Sequence, residues 1–394
     1  MLIEDLDFNG KRVLVRVDYN VPMNEYLKVT DNTRIKRSIK TILHILKNGG
    51  SCILISHMGR PKGYNTKLSL SNIVPEVEKA LNKKITFIDD CIGDKVKKAC
   101  KEAKKGEVIL LENLRFYAEE ESGGTEFSKS LSQLGDIYIN DAFGTAHRNH
   151  ASTGVLPTFF KKNKAMGFLL LSEVEAIRKV LKNGKSPILS IIGGAKVSSK
   201  IEILKNLINI VDDLIIGGGM AYTFIKARGG KIGNSLCEEA FLDQAKNILL
   251  LAKNKKVKIH LPNDVVVSES FSNNSPTDVV KIRNIPKHME GLDIGPLSIK
   301  EFDKIILNSK TILWNGPLGV FEMSNFRNGT KQVAHSIANA TKNGAFSLVG
   351  GGDSISAIKL FRMNNKFSYI STGGGAMLES LEGKVLPGID AILN

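Results

Sequence analysis

The residues with the strongest chemical signal lie in the stretch Ile188–Leu207, ILSIIGGAKVSSKIEILKNL. A mostly apolar run of strand length leads into Gly193–Ala195, where the backbone can turn sharply and approach a ligand. A helix is predicted to follow, with Ser198 as its N-cap. Lys196 and Lys200 then lie in the turn and the first helical turn, where unpaired amide N–H groups and the helix dipole favour an anion. The pattern predicts a phosphate site.

The same stretch also fits an ordinary strand–turn–helix connection with solvated lysines, because such connections recur throughout α/β proteins. It is not a Walker A loop, since Gly-x-x-x-x-Gly-Lys-Ser/Thr occurs nowhere in the chain. The choice between a phosphate site and a plain connection therefore depends on the sequence on either side.

Triple-glycine turns follow three predicted strands in the second half of the chain, at Gly217–Gly219, Gly350–Gly352 and Gly373–Gly375. Their repetition favours ligand-binding turns. The second continues as GGGDS, where Ser354 is expected to cap the next helix and Asp353 to hold Mg²⁺ beside phosphates. None of these turns completes Gly-x-Gly-x-x-Gly, which disfavours a dinucleotide-binding domain.

Polar clusters follow four predicted strands in the first half of the chain, which end near residues 17, 55, 111 and 140. Together with the start of one helix they supply Asp18, Asn20, Arg34, His57, Arg60, Arg115 and Arg148. Because the carboxyl ends of parallel strands meet at one edge of a sheet, we expect these side chains to converge. Guanidinium groups match carboxylate and phosphate oxygens, so a small phosphorylated hydroxy acid is the predicted ligand. The absence of a nucleophile–base pair disfavours a Ser–His–Asp hydrolase.

Arg34 falls in the first turn of a helix predicted to begin at Asp31–Thr33. The expected apolar face of that helix consists of Ile35, Ile39, Ile42, Leu43 and Leu46. A basic residue at the positive end of a helix costs stability unless an anion lies opposite, so the placement indicates anion binding. A flexible surface arginine is the alternative.

Length and composition indicate a two-domain, cytoplasmic enzyme. The chain has 394 residues, too many for one typical core. Its net charge of +15 suits anionic ligands, although a generally basic proteome would give the same value, and no basic tail with interleaved aromatics points to nucleic acid. The four cysteines are scattered, which predicts reduced thiols and no zinc site. Neither a signal peptide nor a membrane-spanning run is expected.

The sequence closely resembles the phosphoglycerate kinase family from about Lys11 to the C-terminus. The resemblance is carried by motifs in the family's order: RVDYNVP at 16–22, SHMGRPKG at 56–63, LLENLRF at 110–116, NDAFGTAHR at 140–148, GGAKVSSK at 193–200, WNGPLGVFE at 314–322, GGGDS at 350–354 and STGGGA at 371–376. So many long motifs in one order make chance similarity negligible.

The resemblance implies an α/β fold of two similar-sized Rossmann-like domains, each a parallel sheet flanked by helices. Residues 1–167 would form the phosphoglycerate-binding domain, onto which 386–394 fold back. Residues 168–183 would form the interdomain helix and hinge, and 184–385 the nucleotide-binding domain. The implied activity is reversible phosphoryl transfer from 1,3-bisphosphoglycerate to ADP-Mg, giving 3-phosphoglycerate and ATP in glycolysis.

Site residues carry over from the family's motifs. The acid substrate is assigned to Asp18, Tyr19, Asn20, Arg34, His57, Met58, Gly59, Arg60, Arg115 and Arg148. The nucleotide is assigned to Gly193, Lys196, Lys200, Gly217, Gly218, Gly291, Asn315, Pro317, Glu322, Gly350, Gly351, Gly352, Asp353 and Ser354, with Asp353 also on Mg²⁺. The catalytic set is Arg34, Lys196, Lys200, Gly373 and Gly374.

The chemistry of the implied reaction needs no general base, because the attacking carboxylate or diphosphate oxygen is already ionised at neutral pH. What remains is positioning and charge neutralisation by Lys200 and Arg34, which lie in different domains. We therefore expect hinge closure before in-line transfer. A monomer acting on small molecules, without nucleic acid or membrane, is the expected state.

Some positions depart from the family's usual residues: Tyr19 for Phe, Tyr222 for Asn, Ser199 for Asp and Ser354 for Thr. Ser199 removes a negative charge beside Lys200 and is expected to affect nucleotide affinity. Two other functions remain as alternatives, namely an NAD-dependent dehydrogenase using one of the glycine turns and a non-enzymatic protein that binds nucleic acid or a surface through its charge.

Overall fold

The computed structural model describes residues 2–394, which form two compact α/β units. The first unit runs to Val174 and also contains Val385–Asn394, and the second is Glu175–Lys384. Each unit contains a parallel six-stranded sheet flanked by helices, so the predicted fold class is confirmed.

The strands are β1 (Arg12–Val17), β2 (Ser51–Ile55), β3 (Thr86–Ile88), β4 (Val108–Leu111), β5 (Ile137–Asp141), β6 (Lys164–Met166), β7 (Ile188–Ile192), β8 (Asp213–Ile216), β9 (Lys231–Ile232), β10 (Lys258–His260), β11 (Asp264–Ser268), β12 (Thr277–Lys281), β13 (Asn284–Ile285), β14 (Glu290–Ile294), β15 (Thr311–Asn315), β16 (Phe346–Gly350) and β17 (Tyr369–Ile370). The helices are α1 (Thr33–Lys47), α2 (Val74–Leu81), α3 (Asp94–Lys101), α4 (Ala118–Ser122), α5 (Thr125–Ser132), α6 (Phe168–Leu181), α7 (Ile201–Leu207), α8 (Met220–Ala227), α9 (Leu242–Asn254), α10 (Pro296–Asn308), α11 (Asn328–Lys342), α12 (Gly352–Leu360), α13 (Gly375–Leu381) and α14 (Pro387–Leu393).

The sheet of the first unit has the strand order β3-β4-β2-β1-β5-β6, with every neighbour parallel. Side chains alternate across a strand, so successive residues of β1 enter two different cores. Val13 and Val15 belong to the core that includes α1 and α2, whereas Leu14 packs with Ile53 in the core beside α5. Helices on both faces explain why these strands are almost continuously apolar.

Helix α1 buries most of the predicted apolar face, because Ile35 and Ile42 are fully buried and Ile39 and Leu46 pack against the same core, but one predicted residue lies outside it. Leu43, expected in the core, is 47% exposed, whereas Ile45 is fully buried. Two polar side chains, Ser38 and Thr41, also face the core. Each is satisfied there, because the Ser38 hydroxyl donates to the carbonyl of Ile35 at 2.8 Å and Thr41 accepts the first amide of α6 at 2.9 Å. Hydrogen bonds thus allow polar residues to take core positions.

The main sheet of the second unit has the order β10-β8-β7-β15-β16-β17, again parallel. A separate antiparallel sheet, β12-β11-β14, and the short pair β13-β9 were not predicted from the sequence. These added strands place Glu290 and Gly291 beside the main sheet's glycine turns.

Two predicted N-caps are wrong. Helix α7 begins at Ile201 with Lys200 as its N-cap, and the Ser198 hydroxyl donates instead to Glu238 at 2.6 Å. Helix α12 begins after Gly351, and the Ser354 hydroxyl accepts the amide of Gly316 at 2.7 Å. In both cases a long-range partner outcompetes the local capping bond.

The C-terminal helix α14 packs within the first unit, beside β5 and β6. The carbonyl of Ala146 accepts the amide of Gly388 at 2.8 Å, and Lys164 donates to the carbonyl of Ala391 at 2.8 Å. Helix α6 (Phe168–Leu181) lies within the segment 168–183 that was expected to be helical, and the division between the units falls within it. No helix within residues 2–394 has the length and apolarity needed to cross a membrane.

Candidate functional site

The arginine cluster of the first unit consists of Arg34, Arg60, Arg115 and Arg148. Three of these residues follow β2, β4 and β5, and Arg34 lies in the first turn of α1. Arg34 and Arg115 both lie close enough to His57 to lower its pKa, and Arg148 acts in the same way on Arg115. Arg60 and Arg148 are exposed. The structure thus brings Arg34, Arg115 and Arg148 together at one edge of the sheet, and Arg60 lies in the exposed loop after β2.

Arg34 is held by the residues that follow β1. Its Nη1 donates to Asp18 Oδ1 at 3.1 Å and to the carbonyl of Asn20 at 2.8 Å. The Asn20 side chain in turn accepts the amide of Gly59 at 3.0 Å. These contacts hold the Arg34 guanidinium near the positive end of α1, and 35% of the Arg34 side chain is exposed. An anion bound there would meet both the arginine and the helix dipole.

Arg115 is the most deeply buried cation of the cluster, with only 7% of its side chain exposed. Its Nη1 donates to the carbonyl of Gly59 at 2.7 Å, and its Nε lies 3.2 Å from Glu121 Oε1. Burial lowers the pKa of this guanidinium, but arginine stays charged in proteins. The loop that carries Gly59 is therefore tied to both Asn20 and Arg115.

A buried network beneath the cluster was not recognised as part of the site from the sequence. Arg16, fully buried on β1, donates from Nε to Ser152 Oγ at 2.8 Å, and its Nη2 lies 3.1 Å from His57 Nδ1. Glu120, also fully buried, accepts from the hydroxyl and amide of Ser152 at 2.6 and 3.0 Å. The carboxylate lies 3.9 Å from Arg16 and balances its charge. The available signal was an arginine flanked by valines in a strand whose other charged residue, Arg12, lies at its start.

This network sets the protonation of His57. Because arginine can only donate, His57 Nδ1 accepts from Arg16 and the ring proton lies on Nε2. Burial and the charges of Arg16, Arg115 and Arg34 keep the pKa of His57 well below its usual range. His57 is therefore a neutral N–H donor at neutral pH. His150, also buried, has its pKa lowered to about 4 by burial and by the charges of Arg115, Arg16 and Arg148.

Two residues predicted to contact the acid have core side chains. Tyr19 is fully buried, and its hydroxyl lies 3.0 Å from Ser38 Oγ. Met58 is 2% exposed and exchanges backbone hydrogen bonds with the Asn113 side chain at 3.1 and 2.8 Å. Their side chains therefore position the loops after β1 and β2 from within the core and do not face a ligand.

The lysine cavity of the second unit, about 360 Å³, is formed where the turns after β7, β15 and β16 meet. It is lined by Gly193, Lys196, Lys200, Asn315, Gly351, Gly352, Asp353 and Ser354, among others. Lys200 Nζ donates to Asn315 Oδ1 at 2.5 Å. Burial lowers the pKa of Lys200, an effect that the nearby Asp353 carboxylate opposes. The predicted lysines and glycines thus line one polar cavity.

Backbone packing makes two glycines of this region obligatory. A Cβ on Gly193 would lie 2.0 Å from the carbonyl oxygen of Pro317. Gly218 has φ +66° and a Cβ there would lie 2.7 Å from the carbonyl oxygen of Gly194. The turns after β7, β8 and β15 therefore touch backbone to backbone, which no larger residue permits.

An apolar cavity of about 260 Å³ adjoins the lysine cavity and shares Gly194, Ala195 and Asp353 with it. Its walls include Leu236, Phe271, Leu292, Leu318 and Val320. Predicted residues Gly218, Gly291, Pro317 and Glu322 also line it. A mainly apolar cavity that opens onto a cationic one suits a ligand with a flat ring at one end and phosphates at the other.

Asp353 fits a role in holding Mg²⁺ together with a phosphorylated ligand. Its carboxylate is exposed in the first turn of α12 and lines both cavities. Within residues 2–394 no cluster of three or more His, Cys, Asp or Glu residues forms a protein-only metal site. Mg²⁺ is usually bound by one or two carboxylates with substrate phosphates completing its shell, so a single carboxylate here suffices.

The remaining predicted glycines are not among the residues that line the two cavities. Gly217 packs against Leu318, where a Cβ would come within 2.0 Å of that side chain, and Gly350 packs against Met377 in the same way at 1.9 Å. Gly373 and Gly374 form the turn before α13. Helix α13 reaches the lysine cavity through Leu378.

Comparison with known proteins gives one consistent answer. A model of the family described as phosphoglycerate kinase matches residues 3–384. A protein named phosphoglycerate kinase from Porphyromonas gingivalis is 49% identical over 417 residues and covers 100% of both chains. A protein of the same name from Nostoc punctiforme is 46% identical over 390 residues, covering 99% of this chain and 97% of its own.

Solved structures agree with the sequence comparisons. The structure of phosphoglycerate kinase from Coxiella burnetii matches with a TM-score of 0.93 and 39% identity, covering 100% of this chain and 98% of the other. The crystal structure of phosphoglycerate kinase from Pyrococcus horikoshii matches with a TM-score of 0.81 and 31% identity, with the same coverage.

Proposed function

Because this chain belongs to the phosphoglycerate kinase family, we propose that it transfers a phosphoryl group reversibly between 1,3-bisphosphoglycerate and ADP-Mg. The products are 3-phosphoglycerate and ATP, as in glycolysis. The observation that carries the proposal is that each parallel sheet has its own site for an anion. The arginine cluster serves one and the lysine cavity with its glycine turns serves the other.

The arginine cluster binds the phosphoglycerate. Its guanidinium groups suit both the carboxylate and the phosphate of a three-carbon acid. Asp18 and Asn20 accept from the substrate hydroxyl, and His57 donates its Nε2 proton. Because the Asp18, Asn20 and Gly59 contacts hold Arg34 and Arg115 in place, little side-chain order has to be gained on binding.

The nucleotide spans the two cavities of the second unit. Its base enters the apolar cavity, and its phosphates lie against the amides of the glycine turns and the ammonium groups of Lys196 and Lys200. Asp353 would hold Mg²⁺ with the phosphate oxygens. When bound there, Mg²⁺ neutralises negative charge on the phosphates during transfer.

Transfer requires positioning and not proton abstraction. The attacking oxygen, a carboxylate of 3-phosphoglycerate or a phosphate of ADP, is already ionised. Lys200 and Arg34 stabilise the charge on the transferring group, with the Gly373–Gly374 turn assisting, and the oxygens align on either side of it. Since the two substrates bind to different units, the units close around them before in-line transfer and exclude water.

A coupled assay tests the proposed reaction directly. The enzyme is supplied with 3-phosphoglycerate, Mg²⁺ and ATP, and formation of the acyl phosphate is followed through a dehydrogenase that oxidises NADH. We expect turnover that stops when EDTA removes Mg²⁺ and resumes when Mg²⁺ is restored in excess. An enzyme that binds both ligands yet shows no turnover contradicts the proposal.

Closure is tested by small-angle X-ray scattering. The radius of gyration should decrease only when 3-phosphoglycerate and a nucleotide are both present, because each ligand alone contacts one unit. An unchanged value with both ligands would contradict closure without affecting the assignment of the reaction. The same scattering profiles report the molecular mass, and we expect the mass of a monomer. We also propose that the protein acts in the cytoplasm.

A further inference from the structure

Two polar side chains lie together in the apolar cavity without an evident structural task. Tyr222, on α8, is 4% exposed and lines the cavity. Glu290, the first residue of β14, lines the same cavity and is half-buried. Within residues 2–394 its carboxylate makes no ion pair, and burial raises its pKa. A partly desolvated carboxylate with no cation beside it is suited to accept hydrogen bonds from a ligand.

The backbone fixes these two side chains next to each other. A Cβ on Gly291 would lie 2.1 Å from the Tyr222 hydroxyl, so the tyrosine fills the space that a side chain at 291 would need. Ser235 Oγ accepts the amide of Gly291 at 2.9 Å and holds this part of β14. Glu290 is close enough to contribute to the raised pKa of Tyr222. The hydroxyl and the carboxylate therefore belong to one wall of the cavity.

This wall belongs to the part of the cavity that receives the base. The cavity meets the lysine cavity at Gly194, Ala195 and Asp353, where the phosphates bind in the proposed function. A nucleotide whose phosphates occupy that end places its base among the remaining lining residues. Tyr222 and Glu290 are the polar groups available there, apart from Glu322 on the segment after β15.

Hydrogen-bond chemistry distinguishes the two purines at such a wall. Guanine presents an acceptor, O6, next to two donors, N1–H and the N2 amino group. A carboxylate, which only accepts, takes both donors, and a tyrosine hydroxyl donates to O6. Adenine presents one donor, the N6 amino group, next to an acceptor, N1. A carboxylate opposite N1 brings two acceptors together, which is repulsive.

We propose that Tyr222 and Glu290 make this cavity selective for guanine, so that GDP and GTP are the preferred phosphoryl acceptor and donor. The inference rests on the proposed function, because it concerns only which base the nucleotide carries. The phosphoryl transfer itself stays as described. One well-made bidentate contact discriminates by about 1–3 kcal/mol, which corresponds to roughly 5- to 150-fold.

Nucleotide preference is measured first on the wild-type enzyme. With 3-phosphoglycerate and Mg²⁺, kcat/KM is determined for GTP, ITP and ATP. Inosine keeps N1–H and O6 but lacks the N2 amino group, so we expect the order GTP, then ITP, then ATP, with GTP at least about fivefold above ATP. Calorimetric titration with GDP and ADP gives the same preference without turnover.

Glu290→Gln tests the carboxylate. A glutamine amide offers one donor and one acceptor, which matches the edge of adenine, so the GTP to ATP ratio should fall by about tenfold or more. Tyr222→Phe removes the donor to O6, and the same ratio should fall by about fivefold. The matched control is Glu269→Gln, because Glu269 follows β11 close to Glu290, is 69% exposed and pairs with His288 at 3.7 Å. That control should leave the ratio unchanged.

The outcomes separate this inference from the proposed function. If the enzyme uses ATP faster than GTP and binds ADP more tightly than GDP, guanine selectivity is overturned. The kinase assignment then remains intact. Tighter binding of GDP than of ADP, without turnover of either triphosphate, supports selectivity and overturns the proposed reaction. If Glu290→Gln has the same unfolding temperature as the wild-type enzyme and also the same GTP to ATP ratio, the role given to Glu290 is wrong.

Discussion

The arginine cluster in the first unit is built from side chains, whereas the lysine cavity in the second is built largely from backbone. In the cluster, Arg34 and Arg115 are held by carboxylate and carbonyl partners, and their charges lie on top of a buried Arg16–Glu120 network. In the lysine cavity, glycine turns pack backbone to backbone, and the supporting contact for Lys200 is the Asn315 amide oxygen.

This difference fits the two ligands proposed for these sites. A small acid carries most of its recognisable features as charge, so fixed guanidinium groups can recognise it almost completely. A nucleotide carries a phosphate chain that must be approached closely from several directions, which backbone amides do better than side chains. Side-chain deletion should therefore weaken the first site, and side-chain addition should weaken the second.

The largest expected effect comes from removing one cation from each site. Lys200→Ala and Arg34→Ala should each lower kcat by about 100- to 1000-fold if both residues stabilise charge in the transition state as proposed. Substrate binding should largely survive, since other cations remain in each site. Steady-state kinetics with separate variation of 3-phosphoglycerate and nucleotide measures both quantities.

Matched controls come from exposed lysines on the same helices. Lys205→Ala removes a cation from α7 that pairs with Glu202 at 2.8 Å, and Lys36→Ala removes an exposed cation from α1. Both should keep wild-type kcat. Near wild-type turnover in Arg34→Ala or Lys200→Ala would show that the transition-state role is wrong for that residue.

Adding one methyl group to a glycine turn should produce the next largest effect. In Gly193→Ala the new Cβ would lie 2.0 Å from the Pro317 carbonyl oxygen, so the turns must separate. We expect a loss of about 1–3 kcal/mol in the free energy of unfolding and a matching loss of nucleotide affinity. Denaturant unfolding and nucleotide titration measure the two.

Gly352→Ala is the control for that prediction, because a Cβ at Gly352 would meet no atom within 4 Å. Its free energy of unfolding should stay at the wild-type value or rise by about 0.4–1 kcal/mol. Equal destabilisation of the two variants would mean that backbone contact between the turns is not what makes Gly193 necessary.

The sequence predicts the central strands of both sheets well, because each is a buried apolar run that ends in glycine or polar residues. It does not predict the edge strands β3 and β6, each of which has three residues and depends on pairing with a distant neighbour. The antiparallel sheet was missed for a related reason, since β11 lies in the sheet between β12 and β14, which both follow it in the chain, and β14 comes only after another short strand, β13. Local patterns carry no information on such pairing.

The candidate sites show the same limit. Turn glycines, lysines and arginines are visible in the sequence because they recur after several successive predicted strands. The contact between Arg16 and His57 is not, because it joins residues far apart in the chain through a buried network. Ser198 and Ser354 are residue types that often serve as N-caps. In the structure each side chain forms a hydrogen bond with a residue distant in the chain instead.

Dense packing of cations in the first unit should make its stability depend on pH. His150 faces Arg16, Arg115, Arg148 and His147, and its pKa falls to about 4. The unfolded chain, with a pKa near 6.5, binds the proton more readily, so stability decreases as the pH falls from about 6.5 towards 4. His150→Gln should reduce the loss between pH 7 and pH 5 by about 1–2 kcal/mol.

Denaturant unfolding at the two pH values checks this prediction. The control is His335→Gln, which replaces an exposed histidine on α11 in the second unit and should leave the pH dependence unchanged. Parallel pH profiles for wild type and His150→Gln would show that the crowded arginines do not determine the response of this histidine.

The smallest expected effect comes from adding a carboxylate to the lysine cavity. Ser199 lines that cavity, is exposed, and donates to the carbonyl of Lys196 at 3.0 Å. In the arginine cluster a carboxylate is tolerated, because Asp18 is neutralised by Arg34. In the lysine cavity the cations beside Ser199 are Lys196 and Lys200, which are the groups proposed to bind the phosphates, so the carboxylate of Ser199→Asp should compete with the phosphates for them and raise the KM for nucleotide by up to about fivefold, the size of an exposed charge interaction. The KM for 3-phosphoglycerate should not change, and about 0.5 M salt should largely remove the effect because it screens exposed charges. Ser199→Asn, which has the same size without the charge, separates the effect of the charge from that of bulk, and an equal rise in that variant would show that the added charge is not the cause.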